Sequence, residues 1–257
     1  IILNPLSKLA HGRIDLPKAT QHNPLRVGSS GERSSARRQV VRCAVVHGRR
    51  RRNAVKRLSL VLFGPLQVRL DGAPVELLRR HKASALLAYL AVSPDEVHPR
   101  GALAGLLWPG YPESSARSSL SQALFSFRAA LSDSGAPDVV DGLLTLSRAD
   151  VRLNSSALSS DLGDFVEHLA RAQPHRHAGG TLCAECAGDL RSALQLYRGD
   201  LLEGFTLGDS PEFEEWLVVA RERFRRIATQ AAGVLAAWTE AAGEPETWKA
   251  EALKAEP

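Results

Sequence analysis

The chain has 257 residues, of which 44% are hydrophobic, and a formal net charge of +5. This length allows two modest domains with buried cores, and no apolar run approaches the ~20 residues of a membrane span, so we expect no membrane association. The 3 cysteines, with no secretory signal ahead of them, favour a reducing, cytoplasmic location. Because the chain begins at Ile1 and contains no methionine, we expect it to be a fragment or an imperfect gene model.

Charge is distributed unevenly along the chain. Residues 1–57 contain 14 Lys/Arg and 2 Asp/Glu, residues 58–153 contain 9 of each, and residues 154–257 contain 10 Lys/Arg and 17 Asp/Glu. We therefore expect a basic arm, a neutral middle and an acidic second half with three different roles.

The basic arm has scattered proline, glycine and serine and no sustained hydrophobic period, which argues against a packed domain. We expect residues 1–57 to be disordered, either as a leader or as translated sequence upstream of the true start. The alternative rests on the four arginines of residues 49–52, because such a run can hold a nucleic-acid backbone without reading its sequence.

The neutral middle opens with a predicted three-stranded antiparallel unit. Residues 58–63 form an apolar run, and residues 66–70 alternate between apolar and polar side chains. Asp71-Gly72 is typical of a hairpin turn, and residues 75–78 supply the third strand.

Two helices are predicted after these strands. In the first, the shared apolar face consists of Ala83, Leu86, Leu87 and Leu90. The second is shorter and starts near Pro99, a residue favoured at helix starts. Its core face consists of Leu103, Leu106, Leu107 and Trp108.

Residues 113–131 predict a third helix. The composition of its polar side differs from that of an ordinary surface helix. Its apolar stripe consists of Ala116, Leu120, Leu124, Phe127 and Leu131. The opposite side consists of Arg117, Ser118, Ser121, Gln122 and Arg128. Small polar groups beside Arg and Gln suit a helix that approaches base edges in a DNA major groove. A plain amphipathic core helix explains the apolar stripe equally well.

A β-hairpin is predicted behind the third helix. Residues 139–140 and 143–146 alternate around Asp141-Gly142, and residues 151–153 follow. The order of strands, three helices and hairpin is that of a winged helix.

The acidic second half predicts three helices. Two short ones cover residues 161–172 and 187–197. The third has the clearest start signal, since Ser210 can cap, Pro211 suits the first position and glutamates follow. Its apolar stripe steps by three and four residues until Gly243 ends it.

A cluster of histidines and cysteines lies between the first two of these helices. His175, His177, Cys183 and Cys186 have the spacing His-x-His-x5-Cys-x2-Cys, and two imidazoles with two thiolates can close a tetrahedral zinc site. Such a four-ligand site is structural, because it leaves no open position for catalysis. The alternative is a polar loop with two unlinked cysteines at a helix start.

Several stretches of the middle part resemble the DNA-binding domain of OmpR-type winged-helix regulators, most closely that of the SARP/AfsR-like transcriptional activators. They are KASALLAYLAV (82–92), LAGLLWP (103–109), SSARSSLSQAL (114–124) and FRAAL (127–131). The block 114–124 resembles the recognition helix of that family. The second half adds LYRGDLLEGF (196–205) and DSPEFEEWLVVARERFRRIA (209–228), which resemble the family's bacterial transcriptional activator domain.

The resemblance implies a mostly α fold with a small antiparallel β-structure: a winged helix-turn-helix domain followed by a tetratricopeptide-like α-helical domain. The expected boundaries are 1–57 for the arm, 58–153 for the winged helix and 154–257 for a truncated activator domain. The implied partners are double-stranded DNA and, through the helical domain, RNA polymerase or a second copy of the chain.

The expected DNA contacts follow from the polar helix side and its basic neighbours. Contacts with base edges or adjacent phosphates are expected from Arg117, Ser118, Ser121 and Gln122. Contacts with the phosphate backbone are expected from Arg128, Arg79, Arg80 and Lys82. Arg148 in the hairpin is expected to reach a flanking minor groove.

Two functions remain open at this point: a sequence-specific transcriptional activator, and an interaction scaffold whose winged helix does not bind DNA. The scaffold is favoured by the serines Ser118, Ser121 and Ser126, because the activator family that the chain resembles often has Asn or Arg at such positions. An enzyme is not expected, since the sequence contains no phosphate-binding glycine loop, His-Glu-x-x-His or Gly-x-Ser-x-Gly motif.

Overall fold

The computed structural model describes residues 58–75, 81–133, 137–172 and 182–242. Across these ranges the fold is mostly helical with two small sheets. The helices in these ranges are α1 (His81–Val92), α2 (Arg100–Leu107), α3 (Glu113–Asp133), α4 (Pro137–Leu143), α5 (Asp161–Arg171), α6 (Ala184–Leu196) and α7 (Pro211–Ala242). The strands are β1 (Leu58–Val61), β2 (Gln67–Leu70), β3 (Ala73–Pro74), β4 (His98–Pro99), β5 (Leu144–Leu146), β6 (Asp150–Leu153) and β7 (Leu158–Ser160).

The first sheet has the strand order β3-β2-β1-β7. Asp71 and Gly72 both have positive φ angles, 49° and 83°, as a tight two-residue hairpin turn requires. This turn places Ala73 directly opposite Leu70, so the third strand begins two residues before the predicted residues 75–78. Residues 76–78 lie outside the described ranges.

The fourth strand of this sheet comes from the second half of the chain. β7 pairs in parallel with β1, with Leu58 opposite Leu158. Directly after β7, the Asp161 carboxylate accepts hydrogen bonds from the backbone N–H groups of Leu62 (2.8 Å) and Phe63 (3.0 Å). Burial raises the pKa of Asp161, and these donors act against that rise. The acidic half therefore begins as part of the winged-helix sheet.

The second sheet is the wing, and it differs from the predicted hairpin. Residues 137–143 form helix α4 rather than a strand, because Pro137 suits a helix start and Val139 and Leu143 bury one face. The hairpin is instead β5 and β6, and β4 adds a third antiparallel strand on the outer side of β6. The Ser147 hydroxyl closes its turn by accepting from the Asp150 N–H at 2.8 Å.

Helix α1 is buried along nearly its whole length. The sequence predicts one apolar face, but every residue of 83–91 is buried. The reason is that the second half covers the other side: Tyr89 of α1 packs against Trp216 of α7 with ring centroids 4.8 Å apart. A helix covered all round is buried rather than amphipathic.

The helices of the second half, as far as the structure describes it, are α5, α6 and α7. Phe63, after β1, contacts Phe165 of α5 at 5.2 Å and Phe224 of α7 at 5.7 Å between ring centroids, so one aromatic cluster joins the sheet to these helices. None of the helices in the described ranges is long and apolar enough to cross a membrane.

Candidate nucleic-acid interface

Helix α3 is held against the core by its apolar stripe. All five predicted stripe residues, Ala116, Leu120, Leu124, Phe127 and Leu131, are buried. With 3.6 residues per turn, the opposite side must face away from the core. It does so: Arg117, Ser118, Ser121 and Gln122 are exposed, and Arg128 is half-buried.

The two serines on this side are held by their own helix. The Ser118 hydroxyl donates to the Ser114 carbonyl at 3.0 Å, and the Ser121 hydroxyl donates to the Arg117 carbonyl at 2.9 Å. The Ser118 oxygen keeps its lone pairs, and the Ser121 oxygen keeps one beside the bond that it accepts from Arg100, so each can accept from a base amino group. Small side chains bonded back to the helix also let its backbone approach another molecule closely.

Both cations of the α3 surface form ion pairs within the protein. Arg117 contacts Glu113, one turn earlier, at 2.7 Å, and Arg128 contacts Asp141 of α4 at 3.1 Å. All four side chains are at least 42% exposed, and such surface pairs contribute only about 0–1 kcal/mol. A phosphate can therefore replace either acid at little cost.

The wing is fixed beside α3 by Arg100, a residue that the sequence did not single out. Its guanidinium donates to the Ser121 hydroxyl at 2.9 Å and to the Ser147 carbonyl at 3.3 Å, while its backbone N–H donates to the Ala149 carbonyl at 2.7 Å. One side chain thus connects the exposed face of α3 with the turn of the wing. No sequence signal indicates this, because the groups it joins are 21 and 47 residues away.

Arg148 lies in that same turn, and it is exposed. Arg152, on β6, is a second exposed cation of the wing, and its position in the sequence did not indicate this role. With Arg100, which directly follows β4, they outnumber Asp150 as the charged residues of the wing, and this net positive charge favours a polyanionic partner.

Lys82 has a different environment from the one predicted. Its ammonium donates to the Leu107 carbonyl and to the Ser210 hydroxyl, and it contacts Asp209 at 2.9 Å. The side chain is only 19% exposed, and the ammonium lies 5.4 Å from the centre of the Trp108 ring. We therefore withdraw Lys82 from the phosphate contacts and assign it to the junction between α1, α2 and the start of α7.

The described residues of the second half border the α3 surface but do not cover it. An open cleft runs between α3, where Ser119, Gln122 and Ser126 line it, and the segment 206–209 that precedes α7. Gln122 remains exposed at its edge. With respect to the described ranges, the side of α3 that the sequence assigned to DNA is thus accessible.

Four of the predicted site residues lie outside the described ranges: Arg79, Arg80, His175 and His177. Cys183 and Cys186 lie at the start of α6, where Cys183 is half-buried and Cys186 is buried. Burial and the neighbouring Cys183 raise the pKa of Cys186 to about 11. No group of three or more metal-binding side chains occurs within the described residues, so the zinc site stays a prediction.

Known proteins similar to this chain are regulators of transcription. No protein-family model matches the sequence. The transcriptional regulatory protein EmbR is 34% identical over 150 residues, both in Mycobacterium bovis and in Mycobacterium tuberculosis, and the match covers 58% of this chain and 37% of the relative. The chain thus spans little more than a third of the length of the curated relatives it matches.

A solved structure agrees with the sequence comparison. It is that of Mycobacterium tuberculosis EmbR in complex with a low-affinity phosphopeptide, with a TM-score of 0.55 and 25% identity, covering 73% of this chain and 46% of that one. The predicted fold class, a winged helix followed by a helical region, is thereby confirmed. The chain is homologous to a transcriptional regulatory protein.

Proposed function

We propose that this chain is a sequence-specific, DNA-binding transcriptional activator of the SARP kind. The observation that carries the proposal is the exposed side of α3, where small polar side chains and two arginines stand next to a cationic wing. Homology to a transcriptional regulatory protein supports it.

In the proposed complex, α3 enters the major groove. Arg117, Ser118, Ser121 and Gln122 contact base edges or adjacent phosphates, since bidentate Arg and Gln contacts distinguish guanine and adenine. Arg128 holds the backbone after it exchanges Asp141 for a phosphate. Contacts of this type position the protein without reading sequence.

The wing supplies the flanking contacts. Arg148 in its turn reaches a minor groove, and Arg152 adds a backbone contact on the same side. Arg100 keeps the wing at a fixed distance from α3 through Ser121 and Ser147. The contacts of α3 in the major groove and of the wing in the flanking minor groove are therefore a fixed distance apart. Outside the described residues, Arg79 and Arg80 keep the backbone role that the sequence predicts for them.

For the remainder of the chain we propose the boundaries 58–153 and 154–257, with a tetratricopeptide-like second domain. That domain makes the protein contacts of activation, either with RNA polymerase or with a second copy of the chain. The parallel pairing of β7 with β1 supports a rigid connection, because the second domain then starts within the sheet of the first.

The test begins with selection of duplexes from a random pool by the full chain, followed by mobility-shift assays at two salt concentrations. The proposal expects one enriched sequence, bound about 10³-fold or more tightly than random DNA, with affinity falling steeply as salt rises. Folded protein that retains no DNA at low salt contradicts it.

The scaffold hypothesis is the second candidate. The pairing of both α3 cations with Glu113 and Asp141 favours it, because those pairs lower the charge offered to phosphate. Replacing Asp141 by Asn distinguishes the two. An activator gains DNA affinity when Arg128 is released, whereas a scaffold shows no DNA binding in either form.

A further inference from the structure

Phe125 is a large apolar side chain in the middle of the polar side of α3. It is 74% exposed. Successive helical residues are 100° apart, so Ser121 and Gln122 lie one turn before Phe125 and Arg128 one turn after it. The ring therefore stands among the same residues that are proposed to meet DNA.

The surroundings of Phe125 do not resemble a protein-binding patch. The core of a protein–protein interface is apolar and depleted of charge. A groove between α3 and the wing beside Phe125 has a mixed lining, which consists of Leu124, Ala129, Leu146, Ser121, Ser132, Asp141, Arg100 and Arg128. Three charged side chains, two of them cations, thus lie close to the ring. Cations beside an aromatic ring suit a partner that presents phosphates next to apolar groups.

DNA presents one apolar group in the major groove, the C5-methyl of thymine. We propose that Phe125 is a specificity-determining residue that packs against a thymine methyl in the sequence read by α3. This inference rests on the proposed function, because it requires α3 to lie in the major groove. It adds the reading of a thymine methyl to the guanine and adenine contacts proposed for the polar residues of α3.

Deoxyuridine provides the test, since it differs from thymidine only by the methyl group. Duplexes selected by the full chain from a random pool are remade with each thymine replaced in turn by deoxyuridine. Binding of the unmodified chain and of Phe125→Ala is measured by mobility shift. Val218→Ala is the matched control, because Val218 is also an exposed apolar residue (61%) but lies on α7.

One buried methyl group corresponds to about a fourfold change in affinity. We expect the unmodified chain and Val218→Ala to lose about that factor at one or two particular thymines, and Phe125→Ala to lose nothing there. Phe125→Ala should also fail to enrich thymine at those positions when the selection is repeated.

Three results overturn the inference. If the chain selects a sequence but tolerates deoxyuridine at every position, Phe125 does not read a methyl, although the proposed function stands. If Phe125→Ala instead dissociates a dimer seen by sedimentation and leaves the deoxyuridine pattern unchanged, the ring serves contact between copies. If no sequence is selected, the proposed function fails, and this inference fails with it.

Discussion

Substitution of Lys82 by methionine separates a structural role from a DNA-binding one. Methionine keeps most of the stem that packs near Trp108 and removes the ammonium. The loss comprises charge-assisted hydrogen bonds to the Leu107 carbonyl and the Ser210 hydroxyl, in a side chain that is 19% exposed. The ion pair with Asp209 adds little, because that carboxylate is 65% exposed.

Hydrogen bonds to charged groups contribute about 1.5–3 kcal/mol each. After the substitution, the Ser210 hydroxyl still donates to the Leu107 carbonyl at 2.8 Å, so neither acceptor is left entirely unpaired. We therefore expect Lys82→Met to lower the free energy of unfolding by about 2–3 kcal/mol rather than by the full sum of two bonds.

Urea unfolding of the full chain measures this change as a lower midpoint at constant slope. Arg226→Met is the control, since Arg226 is an exposed cation that pairs with Glu222 within α7, and it should alter stability by less than about 0.5 kcal/mol. The Ser210→Ala background should reduce the effect of Lys82→Met, because the two side chains share one hydrogen bond.

The DNA affinity of the same variant tests the alternative, in which Lys82 contacts phosphate. If Lys82 lies in the junction, Lys82→Met leaves the salt dependence of DNA binding unchanged. The reasoning is refuted if stability stays within about 0.5 kcal/mol of the unmodified chain while the slope of log affinity against log salt falls by about one, which is the signature of a lost phosphate contact.

The remaining predictions concern α3, a buried histidine and the cysteine pair. Gln122→Ala should relax preference at one base position by about 1–3 kcal/mol, whereas Arg128→Ala should weaken binding to all sequences alike; equal effects of both on selected and random duplexes contradict the recognition assignment. Burial lowers the pKa of His98, whose Nε2 has no hydrogen-bond partner among the described residues. The unfolded chain therefore binds the proton more readily, so the folding stability is full above about pH 6.5 and decreases as the pH falls below that value. His98→Phe should reduce that fall in denaturant titrations between pH 7 and pH 5, and an unchanged pH profile excludes His98 as the cause. Zinc analysis of the full chain should find one equivalent, lost in Cys183→Ser and in Cys186→Ser; metal-free protein purified with zinc present removes the site.

Elements defined by local pattern were predictable from the sequence. The apolar stripe of α3 and the turn at Asp71-Gly72 are set by residues a few positions apart, and both lie where the pattern places them. The start of α7 at Pro211 is equally local. The role of Ser210 was less predictable: its hydroxyl donates to the Leu107 carbonyl and accepts from the Lys82 ammonium, while its backbone carbonyl accepts from the N–H groups of Phe213 and Glu214.

Features that depend on distant residues were not predictable. β7 pairs with a strand about a hundred positions earlier, and its own three residues carry no sign of that partner. Residues 139–140 and 143–146 alternate around Asp141-Gly142 as a hairpin would, but residues 137–143 form a helix that buries Val139 and Leu143 together. Lys82 and Arg100 are both cations near a helix start, and only the folded chain shows that one is internal and the other links α3 to the wing.

The most direct test of major-groove reading is methylation protection on a selected duplex. Dimethyl sulfate reacts with guanine N7 in the major groove and with adenine N3 in the minor groove, and these atoms mark which groove the protein fills. Insertion of α3 predicts protected N7 positions over the central bases, with N3 protection only at the flank near Arg148. Full reactivity of every guanine N7 in a duplex that the protein demonstrably binds would contradict it.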